Sequence, residues 1–182
     1  ADAPAARTLC MVMAAAMVVD AATGPHIAWE IALLRLAMAA ILGALVGLER
    51  QTHGRAAGLR TMILVGLGCC LVMLVSNTFA EVYWPYRLDS NNILRLDPAR
   101  LAYSVMGGIG FLGAGAILKN GLTVRGLTTA ATIWCVAAIG LAVGMGLYFH
   151  SVATTALVLL ALFVLDRVEA RLATHWYKTL EV

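Results

Sequence analysis

From Gly126 to Leu165 the chain runs for 40 residues without an Asp, Glu, Lys or Arg. No other feature restricts the fold as much. A helix needs about 17–25 apolar residues to cross about 30 Å of hydrocarbon. The run is therefore long enough for two crossings, and Gly144-Met-Gly-Leu-Tyr-Phe-His150 gives it a place to turn. Thr61–Ala80 and Leu101–Leu118 are also free of charge, and between Glu30 and Glu49 the only charge is Arg35. Each of these three runs matches one crossing. Their apolar residues are continuous and not alternating, which favours helices over barrel strands. The expected fold is all-α: a polytopic membrane bundle of about five transmembrane helices. Composition agrees, because 13% charged residues against 62% hydrophobic ones leaves too few charges for a watery surface, where about 25% is usual. Lipid is the implied solvent and the first partner.

Several function classes fall away. A net charge of +3, dispersed along the chain, does not suit nucleic acid. The sequence has no Gly-x-x-x-x-Gly-Lys-[Ser/Thr] phosphate loop and no His-Glu-x-x-His, and no serine or cysteine triad signature. Gly108-Ile-Gly110-Phe-Leu-Gly113 satisfies the dinucleotide pattern, but it lies inside an apolar run where that motif needs a strand and a helix start facing water. Cys10, Cys69, Cys70 and Cys135 all lie in apolar stretches without zinc-site spacing; they read as small buried hydrophobes. The carboxylates near the spans, Glu30, Glu49, Asp97 and Asp166, are scattered, whereas magnesium prefers a set of oxygen ligands. The residues themselves support neither an enzyme, nor a cofactor, nor a dedicated metal cage.

Charge gives the expected orientation. Arg50, Arg55 and Arg60 flank the first connection, Lys119 and Arg125 the third, and Arg167, Arg171 and Lys178 follow the last span. The second connection balances Arg87, Arg95 and Arg100 against Glu81, Asp89 and Asp97, and the fourth has only His150. Basic loops stay cytoplasmic, so the first and third connections and the C-terminus are expected inside and the N-terminus outside. Tyr83, Trp84 and Tyr86 in the second connection suit an aromatic belt. The division expected is an N-terminal extension over 1–25, a transmembrane domain over 26–172 and a tail over 173–182 whose last three residues resemble a linker scar. Leu9–Val19 is short for a crossing; if it did cross, six helices would result with the C-terminus still inside.

Candidate residues follow from these placements. Gly43 and Gly47 on the first helix, Gly107, Gly108, Gly110, Gly113 and Gly115 on the third, and Gly140 and Gly144 on the fourth form small-residue faces for close helix packing. An unwound, ion-coordinating third helix is the sharper alternative. Asp97 before Pro98 reads as an N-cap. Arg35 either snorkels to the outer interface or pairs with an outer carboxylate. At the inner face, Glu49, Arg50, Arg60 and Arg125 with Thr61, Thr128 and Thr129 are expected to form a cross-loop network, with Glu49 orienting Arg60 or Arg125 and the threonines capping two outgoing helices. Gly47 and Gly58 share their spacing with Gly115 and Gly126, Leu59 then meets Leu127 and Thr61 meets Thr129. This is a weak parallel internal repeat of helices 1–2 and 3–4.

Three stretches, taken in order, resemble the membrane domain of the MgtC/SapB family of bacterial inner-membrane proteins. They are Leu45-Val-Gly-Leu-Glu-Arg50 followed by Ala57-Gly-Leu-Arg-Thr61, then Gly108-Ile-Gly-Phe-Leu-Gly-Ala-Gly115, then Val124-Arg-Gly-Leu-Thr-Thr-Ala-Ala-Thr-Ile-Trp134. Thr128 stands where the family's Arg-Gly-Leu-Asn-Thr variant has Asn. The resemblance implies a multi-span protein that supports growth in scarce magnesium and, in some members, survival inside macrophages. It also implies a non-enzymatic regulator that binds another membrane protein, with the proton-driven ATP synthase as the named candidate. A homo-oligomer is compatible with it. The alternative is a magnesium or other ion transporter or channel, or an accessory subunit of magnesium transport.

Overall fold

The computed structural model describes residues 27–83, 97, 99–120 and 123–172. Five helices follow one another: α1 (Trp29–Thr52), α2 (Leu59–Tyr83), α3 (Ala99–Ala116), α4 (Leu127–Met145) and α5 (Tyr148–Leu172). The expected helical bundle is present. It has one addition, a short antiparallel hairpin of β1 (Leu118–Asn120) and β2 (Thr123–Arg125) that pairs Leu118 with Arg125 and Lys119 with Val124. α1, α2 and α4 are each long and apolar enough to cross a membrane. α3 has 18 residues with Arg100 in its first turn, and the apolar part of α5 is Tyr148–Val164. Leu9–Val19, Trp84, Tyr86 and the tail from residue 173 lie outside the described residues.

The contacts fix an alternating up–down path. Gly43 of α1 sits against Met62 of α2, and Gly47 against Leu59, so these helices are antiparallel. α2 and α4 run parallel, because Gly66 lies at Gly140 and Cys70 at Gly144. α3 returns antiparallel to α4, with Gly113 at Ala130. One end of the bundle therefore gathers the 53–58 connection, the hairpin and the start of α4. The other gathers the start of α1 and the turn from α4 to α5.

α4 occupies the middle. It carries no charge and is apolar all round, the pattern of a helix enclosed by others. Ile133, Val136, Ala137, Ile139 and Val143 are all buried. Val136 and Ile133 join Val46, Met62, Cys69 and Met73 in one cluster, while Ile139 and Val143 join Ala39, Leu42 and Cys70 in another. Cys69, Cys70 and Cys135 are free thiols.

The close approaches come from glycine. A Cβ on Gly140 would lie 2.5 Å from the Gly66 carbonyl oxygen, and one on Gly144 would lie 2.6 Å from that of Cys70. On Gly43 it would lie 2.8 Å from the Met62 carbonyl oxygen, and on Gly47 2.7 Å from Leu59 Cα. α3 differs from expectation. Only Gly113 meets a neighbour, at 3.6 Å from Ala130 Cβ; Gly107, Gly108, Gly110 and Gly115 face open space within the chain. Tyr103 and Phe111 on this helix are each 83% exposed, so most of this face is left unpacked among the described residues. A glycine row lets a helix approach closely but does not require that one does. α3 is also continuous from Ala99 to Ala116, which removes the unwound ion-binding segment.

The two helix–connection–helix halves share a plan but not a connection. Residues 53–58 contain no strand, whereas the second half closes through the hairpin. Gly126 takes φ +91° as the N-cap of α4, and a side chain there would run into the Ala116 carbonyl. Gly58 has no positive φ.

Candidate functional site

Arg50 is the centre of the site at the hairpin end. It lies in the last turn of α1 and is only 1% exposed. Its Nη2 donates to Thr129 Oγ1 on α4 at 3.0 Å, joining residues 79 positions apart. Thr129 is itself 4% exposed. A desolvated guanidinium needs such acceptors, because a buried charge is costly unless it is paired or hydrogen-bonded. Beside this contact lies a cleft of about 410 Å³ between α2, α3 and α4. Thr61, Thr129, Ala57, Phe111, Gly115 and Ile133 are among its walls. The cleft is mostly apolar, with hydroxyls at Thr61 and Thr129. Arg60, Thr128 and Arg125 are exposed at the same end.

The sequence placed these residues together, and the structure joins Arg50, Thr129 and Thr61 around one cleft. It does not form the network expected of Glu49. Neither carboxylate oxygen of Glu49 accepts a hydrogen bond; the imidazole of His53, one turn on, brings Nδ1 to 3.2 Å from Oε1. His53 Nδ1 is directed instead to the Glu49 backbone carbonyl at 2.9 Å. The reason is helical geometry. Adjacent residues on a helix point about 100° apart, so Arg50 faces α4 while Glu49 faces α5, where it lines a second cleft with Leu159 and Phe163. The threonines do not cap either. Gly126 is the N-cap of α4 without a side-chain bond, and Thr128 offers its backbone carbonyl to Thr132 Oγ1 at 2.7 Å. At the start of α2 the free amide of Leu59 is met by Gln51 Oε1 at 3.3 Å, a cap that sequence reading missed.

Arg35, at the opposite end, is neither a snorkelling charge nor a carboxylate partner. α4 ends in a Schellman turn. Leu147 N donates to Ala142 O and Gly146 N to Val143 O, both at 2.9 Å, with Gly146 at φ +92°. This motif satisfies two of the orphan carbonyls at a helix end. Gly144 O accepts from Arg35 Nη1 at 2.7 Å and from Asn77 Nδ2 at 3.3 Å. Arg35 Nε donates to Tyr148 Oη at 3.1 Å. The cation thus sits at the negative end of the α4 dipole. Asp97 holds the role expected of it: Oδ1 accepts from Ala99 N at 2.9 Å at the start of α3. Among the described residues no three His, Cys, Asp or Glu side chains converge as metal ligands.

A family model described as "MgtC family" matches residues 36–171. The chain belongs to the MgtC family. The match covers all five helices apart from the first turns of α1 and the last residue of α5, and so takes in Arg50, Thr61 and Thr129. Among curated proteins, the chain is similar to "Putative magnesium transporter YhiD" of Escherichia coli strain K12, 42% identical over 146 residues, which is 80% of this chain and 65% of that protein. It is also similar to "Protein MgtC" of Salmonella typhimurium strain LT2, 42% identical over 140 residues, 77% of this chain and 54% of that one. A third relative, "Uncharacterized protein slr0014" of Synechocystis, is 44% identical over 133 residues, 73% of this chain and 51% of that one. The chain thus spans between about half and two thirds of the length of these relatives. No solved structure matches.

Proposed function

We propose that this family member is a non-enzymatic protein of the bacterial inner membrane that supports growth in low magnesium, and virulence where its host is a pathogen. It acts by binding and regulating another membrane protein through its hairpin end, which the loop charges assign to the cytoplasm. The proton-driven ATP synthase is the candidate partner that family resemblance names. One observation carries the reading: the buried Arg50–Thr129 contact stands beside an open, mostly apolar cleft. A cleft with apolar walls and a few fixed polar groups suits a partner's side chains. The cations and hydroxyls at this end, Arg50, Arg60, Arg125, Thr61, Thr128 and Thr129, repel a divalent cation more than they ligate it. The name given to the E. coli relative, "Putative magnesium transporter YhiD", favours a second reading, magnesium transport.

One pair of experiments separates the two. A photo-crosslinking residue at Thr61 should capture a membrane protein, and a bulky Ala57→Trp should abolish both capture and growth in limiting magnesium. Purified protein in liposomes should pass no magnesium. Magnesium flux that Ala57→Trp blocks would favour transport; crosslinks to lipid alone, with growth unaffected, would end the regulator reading.

A further inference from the structure

The second cleft, between the end of α1 and the middle of α5, has a volume of about 460 Å³. It lies on the side of α1 away from the Arg50–Thr129 contact and does not depend on the function proposed for that end. Glu49, Thr52 and His53 line one part of it; Leu159, Leu160 and Phe163 line another. The Glu49 side chain is 9% exposed, and both its oxygens are buried without a hydrogen-bond donor. A carboxylate so placed demands a donor, and a cationic one most of all. One turn beyond Phe163 on α5, the Arg167 guanidinium lies 4.0 Å from the centroid of the Phe163 ring, which puts a positive charge just past the apolar wall. The cleft therefore sets a buried acid beside an aliphatic track, with a base one turn past Phe163, at the edge of a bundle whose solvent is lipid.

We infer that this cleft holds an aminophospholipid, with the primary ammonium on Glu49, the phosphate toward Arg167 and an acyl chain along Leu159, Leu160 and Phe163. The headgroup class follows from the donors. A primary ammonium offers three N–H groups to a carboxylate, and a quaternary choline offers none. A purely anionic headgroup would bring its charge against Glu49. His53 now stands 3.2 Å from Oε1 and its side chain is 41% exposed; rotation of that exposed ring opens the carboxylate to the cleft.

The test uses the full chain, delipidated in detergent and offered equal amounts of phosphatidylethanolamine, phosphatidylcholine and phosphatidylglycerol with identical acyl chains. Retained lipid is counted by native mass spectrometry. A charge-assisted hydrogen bond sets the expected preference for the ethanolamine lipid over the choline lipid at about tenfold. Glu49→Gln should bring that preference close to unity, and Arg167→Gln should weaken retention of the ethanolamine lipid. Leu160→Trp, which fills the track and leaves Glu49 in place, should reduce retention of every lipid. Thermal melts establish that each variant is folded, and Leu160→Trp carries the test if Glu49→Gln is not. Equal retention of the ethanolamine and choline lipids by the wild type overturns the inference. So does displacement of bound lipid by soluble phosphoethanolamine at equal concentration, since the acyl track would then contribute nothing. Crosslinks from residue 160 to protein in place of lipid overturn it as well.

Discussion

At the scale of single residues, two arginines join α1 to α4 at opposite ends, and each donates to a neutral acceptor there. Arg50 uses a hydroxyl and Arg35 a backbone carbonyl with a phenol. Removing the Thr129 hydroxyl should cost about 1–3 kcal/mol, because a buried charged donor loses one of its acceptors. Thr129→Val should therefore lower the thermal midpoint in detergent and Thr129→Ser should restore it; equal midpoints for all three would show that the bond contributes nothing. Arg35→Lys keeps the charge at the helix end but cannot serve Gly144 and Tyr148 together through one planar fork. It should fall between wild type and Arg35→Ala, with Tyr148→Phe the mildest, at about 0.5–1.5 kcal/mol. How legible these residues were depended on distance. Asp97 was readable because a cap is local. The acceptor of Arg35 lies 109 positions downstream and exists only because α4 stops at a Schellman turn, so no inspection of α1 could reveal it. The direction of Glu49 was readable in principle, since the helical angle separates it from Arg50 whatever the fold.

Among the elements, the glycine pattern misled on one helix and held on two. Small residues on α1 and α4 meet α2 at backbone distance, while the same residue type on α3 meets almost nothing. Sequence spacing states what a helix permits, and only the other four helices decide what is used. The consequence can be measured by substitution. Gly140→Ala must push the Gly66 backbone aside and should cost about 1–3 kcal/mol as overpacking. Gly110→Leu should leave folding and thermal stability intact, against the expectation from the pattern alone, and Gly113→Leu should fall between because of Ala130. A misfolded Gly110→Leu would mean that α3 packs on a neighbour across that face. The hairpin was missed for a related reason: six residues in two strands carry too little alternation to be distinguished from a basic loop.

For the whole molecule, the positive-inside rule and the up–down path agree on one prediction. Single cysteines at His53 and Ser90, in an otherwise cysteine-free chain, should be labelled from opposite sides of the membrane; labelling from one side only would end the five-span path. The path also bears on how the protein is made. The turn between α4 and α5 is two residues long and carries no formal charge, so the two helices can enter the bilayer as one hairpin. Arg35, in contrast, emerges from the ribosome long before the carbonyl that receives it. Until α4 arrives, α1 holds a charge in lipid at a cost of up to about 2.5–3.5 kcal/mol at a helix centre and less toward its end. A nascent chain halted after α3 would be a substrate for the membrane proteases that remove unassembled helices. Truncation at residue 126 should shorten its half-life in pulse-chase, and Arg35→Leu should lengthen it again. The arginine that clasps the finished bundle would serve, during synthesis, as the mark of an unfinished one.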